Sequence, residues 1–166
     1  MKKLIGLSLA AAFLAGAPAI AEESGFSHLA NLAGHCFEGV EEASGDQELR
    51  CYEWVFGDKF IREHLTVKVG DETYKGETLY SFDAGENHLD FTYWSSDGGV
   101  GEGSGTAVDN GIEYGEERFR TPDGHVMVLQ QRLEVVSDTS FVFAMYQQAG
   151  EDWVALRRTV LTRTSR

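Results

Sequence analysis

Glu63, Thr78, Tyr80 and Tyr93 are the residues whose types and spacing most invite chemistry in this sequence. Hairpin pairing arithmetic sets Glu63 opposite Thr78 among aromatic neighbours. A carboxylate buried there without a partner is costly enough to require a counter-charge, hydrogen bonds or a proton. Polar groups converging in an apolar concavity are what a small-molecule site needs, and Tyr52, Trp54, Gln131 and Tyr146 join the candidate ligand-binding set on the same inferred wall. The same residues would serve equally as an internal hydrogen-bond cluster that fixes strand register. A third reading is catalytic: a buried carboxylate such as Glu63, with a raised pKa, suits the general base of a small-barrel hydrolase or isomerase.

A second constellation, Glu53, Arg62, His64 and Glu77 with Trp94 nearby, falls on the opposite strand face. It reads as an exposed ladder of cross-strand ion pairs, and becomes the inner wall only if the strand phase is inverted. Stronger motifs are missing. Ser104 has Glu102 and Thr106 where a nucleophile elbow needs glycines, and the chain has no phosphate loop, His-Glu-x-x-His or calcium loop. The histidines at 28, 35, 64, 88 and 125 form no close pair at ligand spacing, so no metal or cofactor is expected, with haem held by a single histidine as the minor alternative.

The elements that must position these residues start at residues 34–64, which hold the only two cysteines. If Cys36 faces Cys51 across a hairpin, then Glu38 meets Leu49 and Val40 meets Gln47; a turn at Gly57-Asp58 next pairs Trp54 with Ile61 and Glu53 with Arg62. A disulfide between Cys36 and Cys51 would staple this hairpin. Turn signals then recur at Gly70-Asp71, Ala84-Gly85, Asp97-Gly98, Asp109-Asn110, Pro122-Asp123, Ser137-Asp138 and Ala149-Gly150, about 12 to 15 residues apart. No intervening segment has the apolar period of a crossover helix, so the expected fold is all-β: about ten sequential antiparallel strands closed into a single up-and-down barrel. A Greek-key sandwich would need longer connections.

Hydrophobic burial then turns one face inward, with Tyr52, Trp54, Phe56, Ile61, Leu65, Val67, Tyr74, Tyr80, Phe82, Leu89, Phe91 and Tyr93. The glycine-rich run at 100–108 (VGEGSGTAV) suggests a strand that bends or that admits a close neighbour. Met127, Leu129, Leu133 and Val135 form another inward stripe around Gln131, and either phase of the last strand brings Arg157 or Arg158 to the wall. Before the first strand, residues 26–32 place Phe26, Leu29 and Leu32 at helical spacing, with Ser27 able to cap and Gly34 to stop a short helical turn.

Composition bounds the setting. Residues 1–21 run from Lys2 and Lys3 through an apolar stretch to a small-residue exit, the order of a secretory signal peptide with cleavage expected before Glu22. That leaves residues 22–166 as one barrel domain, periplasmic or secreted, with no later run long enough to span a bilayer. Removing the two signal lysines from 14 basic residues leaves 12 against 27 acidic ones, which argues against nucleic acid and anionic membranes as partners.

Residues 32–34 (LAG), 54–62 (WVFGDKFIR), 76–83 (GETLYSFD), 94–99 (WSSDGG) and 158–163 (RTVLTR) together resemble the uncharacterised bacterial lipocalin-like barrels grouped near domain of unknown function 1579. The resemblance implies a closed antiparallel barrel, similar to calycins and to nitrobindin-like haem barrels, and brings no catalytic residues with it. Gly34-x-Cys36 stands where lipocalin-like proteins commonly show Gly-x-Trp. The expected function is binding of a small apolar or amphipathic ligand in the lumen without catalysis; an acidic envelope protein that docks a partner through its outer face is the other non-enzymatic reading.

Overall fold

The computed structural model describes residues 25–165, and the signal peptide expected over residues 1–21 lies outside them. A short helix α1 (Gly25–Ala30) leads into β1 (His35–Glu41), β2 (Gln47–Val55), β3 (Phe60–Val69), β4 (Glu72–Asp83) and β5 (His88–Ser95). The second half supplies β6 (Val100–Val108), β7 (Gly111–Arg120), β8 (Val126–Ser137), β9 (Ser140–Ala149) and β10 (Asp152–Arg163). Each strand pairs antiparallel with its sequence neighbours and β1 pairs with β10, which closes the sheet into a ten-stranded barrel and removes its edges.

The turn signals fall at the strand junctions, and the registers they imply are the observed ones. Cys36 lies opposite Cys51, Glu38 opposite Leu49, Trp54 opposite Ile61 and Glu63 opposite Thr78. At the second turn, Gly57 and Asp58 take φ of 67° and 61°, left-handed values that these two residue types tolerate. Cys36 and Cys51 are joined in a disulfide, a bond that fits an oxidising compartment. No helix among the described residues is long and apolar enough to cross a membrane.

The two barrel ends differ. At one end α1 and the turn after it lay Leu29 and Leu32 onto a buried cluster with Phe37, Tyr52, Leu89, Ile112, Leu133 and Phe141. Residues 31–34 turn the chain from this plug into β1, with Gly34 at φ 84° as the stop. Ser27 lies within this helix. The opposite end carries the β1–β2, β3–β4, β5–β6, β7–β8 and β9–β10 turns, and among the described residues no helix plugs it.

Phase follows burial: Tyr52, Ile61, Val67, Tyr80, Leu89 and Phe91 are buried inside, while Lys68, Lys75, Asp90 and Trp94 stay outside. Two expected inward residues depart from this. Trp54 is 36% exposed and Phe56 68% exposed, because the end of β2 and the turn after it lie past the plugged end. Trp54 instead meets the edge of Phe26 on α1, with ring centroids 5.4 Å apart.

Because the disulfide closes a short loop between strands that already pair, replacing Cys36 and Cys51 by serine is expected to preserve the barrel and lower its stability by roughly 3 kcal/mol. Urea unfolding of the double variant, with non-reducing mass spectrometry of the parent, measures both points.

Candidate functional site

Alternation along β2 that buries Tyr52 also carries Arg50 and Glu48 inward, since all three share one phase. The same phase on β3 brings in Glu63, Leu65 and Val67, and on β4 Tyr74, Thr78 and Tyr80. These walls enclose a cavity of about 590 Å³ above the plugged core, bounded across the lumen by Phe91, Phe119, Leu129, Phe143 and Met145. Its surface is mainly apolar with a few convergent polar groups, the composition typical of small-molecule sites.

The charges in this lumen are arranged around Arg50. Its Nε donates to Glu48 Oε1 at 2.5 Å, its Nη1 donates to Glu63 Oε1 at 2.5 Å, and its guanidinium lies 3.6 Å over the Phe143 ring. Glu48 Oε2 in turn accepts from Arg157 Nε at 2.7 Å and from Thr159 Oγ1 at 2.8 Å. The Tyr80 hydroxyl donates to Glu63 Oε2 at 2.6 Å, so both oxygens of Glu63 are engaged. Burial by itself would raise the pKa of Glu48, but the two guanidiniums and Thr159 outweigh it and hold the carboxyl below its ordinary value. Burial, with Glu63 adding to it, pushes the Tyr80 hydroxyl well above the usual phenol range. Two carboxylates and two guanidiniums thus offset one another, as buried charges require.

Glu117 stands apart from this network. It is 1% exposed; its Oε2 accepts from Gln131 Nε2, and its Oε1 has no hydrogen-bond partner among the described residues. Desolvation raises its pKa to about 7, with Gln131 pulling weakly the other way. The glycines of β6 make room for it: a Cβ at Gly101 would collide with Oε1, and one at Gly103 would sit 2.7 Å from the Phe91 ring and 3.3 Å from the Glu117 Cα. Register shifts between Glu102 and Gly105 on β6, and between Tyr114 and Glu117 on β7, turn this carboxylate inward.

Of the residues expected to line a site, Glu63, Thr78, Tyr80, Tyr93 and Gln131 meet around the cavity, and the Tyr93 hydroxyl is hydrogen-bonded to that of Tyr74 at 2.6 Å. Three do not belong to it. Tyr52 packs with Phe37 and Phe141 in the plugged core, Trp54 lies at the barrel end, and Tyr146 projects to the outer face because its neighbour Met145 fills the inward position. Arg50, Glu48, Glu117, Arg157 and Thr159 are inward groups that the candidate list lacks. The last strand puts Arg157 inside and leaves Arg158 outside on Glu42. Glu53, Arg62, His64 and Glu77 form the expected outer ladder, with Arg62 at 3.5 Å from Glu53 and 3.4 Å from Glu77. None of the five histidines lines the large cavity.

No protein-family model matches the chain, and no curated protein matches it.

Two stability measurements separate these charges. Arg50→Met leaves Glu48 and Glu63 without their shared cation and should cost about 3–5 kcal/mol, whereas Arg62→Met on the outer ladder should cost no more than about 1 kcal/mol. For Glu117 the folded pKa is raised, so its contribution to stability is full below the unfolded carboxylate value of 4.5 and is lost as pH rises through about 7. Glu117→Gln should therefore gain on the parent by up to roughly 3 kcal/mol between about pH 5 and pH 8, read from paired denaturation curves.

Proposed function

We propose that this chain is an exported, periplasmic barrel, akin to the bacterial lipocalin-like group near domain of unknown function 1579, that binds a small, partly apolar ligand in its lumen and catalyses no reaction. The observation that carries the reading is the cavity of about 590 Å³ at the unplugged end, with apolar walls and an inner layer of polar groups. A volume in this range suits ligands of drug-like size, and walls of this kind bury an apolar body while a few polar atoms set its orientation. The charge network supports a binding role more than a catalytic one, because Glu63, the carboxylate best placed by sequence for base chemistry, has both oxygens occupied. The disulfide and the acidic surface agree with life outside the cytoplasm.

No tryptophan lines the cavity among the described residues, so an added reporter is the better probe than intrinsic fluorescence. Nile red, an uncharged environment-sensitive dye, is expected to bind in one-to-one ratio. Met127→Trp, which fills the lumen wall, should weaken binding by about tenfold or more, while Val160→Trp on the outer face should leave it unchanged. Dye that binds both variants and the parent alike would place binding on the surface and refute the reading.

A further inference from the structure

The lumen contains one ionisable group that the protein does not itself balance. Arg50 and Arg157 are matched by Glu48 and Glu63, through contacts already described. Among the described residues Glu117 has no cation near it: β6 faces it with Gly101 and Gly103, and β8 with Gln131 among apolar side chains. The remaining titratable groups of the wall are Tyr74, Tyr80 and Tyr93, with Glu72 at the rim. Burying a carboxylate in this way is costly: its Oε1, with no hydrogen-bond partner among the described residues, lies over Gly101 where the missing side chain leaves room, and the residue borders the cavity.

Aromatic rings surround the same carboxylate. Tyr93, Gly101 and Phe119 share one cross-strand row, the Tyr93 and Phe119 rings lie 6.0 Å apart, and Phe91 approaches over Gly103. A carboxylate with aromatic rings beside it in an apolar chamber suits an ammonium group, which gains from the ion pair and from the rings together. We propose that the lumen selects an organic cation, a protonated amine on an apolar or aromatic body, and seats its charge on Glu117 between Phe91, Tyr93 and Phe119. This rests on the lumen-binding reading and specifies its ligand class. The opposite choice, an organic acid on Arg157, is weaker: Arg157 Nη2 also lacks a partner, but its charge is already met by Glu48 and its side chain is 21% exposed. The acidic chain, at net charge -13, draws cations toward the mouth.

Three ligands of one shape test this on the full mature protein by calorimetric titration: naphthylmethylamine, naphthylmethanol and naphthoate. At about pH 8 the amine should bind about tenfold or more tighter than the alcohol, with naphthoate weakest. At about pH 5 the amine is still protonated, as lysine-like amines are, but Glu117 is not ionised, and the preference should collapse toward that of the alcohol. Glu117→Gln should remove both the preference and its pH dependence while still binding the alcohol. Gly101→Ala, which displaces the carboxylate without deleting it, should weaken the amine more than the alcohol. Equal affinities for amine and alcohol in the parent, or tightest binding of naphthoate, would overturn the cation assignment and leave lumen binding standing. Failure of all three ligands to bind would overturn lumen binding and this assignment with it.

Discussion

Everything inside this barrel depends on one constraint: charges taken out of water must be balanced within the lumen. Arg50 meets that constraint by bridging Glu48 and Glu63, and Arg157 completes it from the far strand β10. The consequence reaches beyond electrostatics. Glu48 ties β2 to β10 across the seam formed by β1, and Glu63 ties β2 to β3 and, through Tyr80, to β4. A network of this sort adds specificity of register to whatever it adds in stability, because only one strand alignment satisfies all its members.

The second constraint is space. Ten strands around a packed plug leave room at one end only where side chains are short, and β6 provides that room with its inward glycines. Phe91, Tyr114 and Phe119 lean over this strand, and Glu117 occupies the volume that a side chain at Gly101 would take. The bulge on β7 is part of the same arrangement, since without its register shifts against β6 and β8 the inward position would fall elsewhere in the run from Gly115 to Arg118.

These constraints explain what could be read before the structure and what could not. The barrel, its strand junctions and the inward aromatic face follow from turn residues and period-two alternation, both local signals. Glu63 opposite Thr78 followed from counting back from a hairpin turn. Arg50 was within reach of the same counting, because it pairs with inward Leu65, but a charged residue is ordinarily assigned to solvent and its partners lie on other strands. Glu117 was out of reach: Tyr114 and Glu117 both point inward three residues apart, which no strict alternation allows. Trp54 and Tyr146 erred for related reasons, one by passing the end of the lumen and the other by lying beside an inward methionine.

The charges of the lumen cancel except at Glu117. Carbon-13 NMR titration of protein labelled at the glutamate side-chain carboxyls reads this directly. The account predicts one glutamate signal with a midpoint at about 7, absent from Glu117→Gln, and a separate lumen signal from Glu48 that titrates below 4.5. If every glutamate titrates within the ordinary carboxylate range, about 4 to 5, then Glu117 is solvated or paired and the account is wrong.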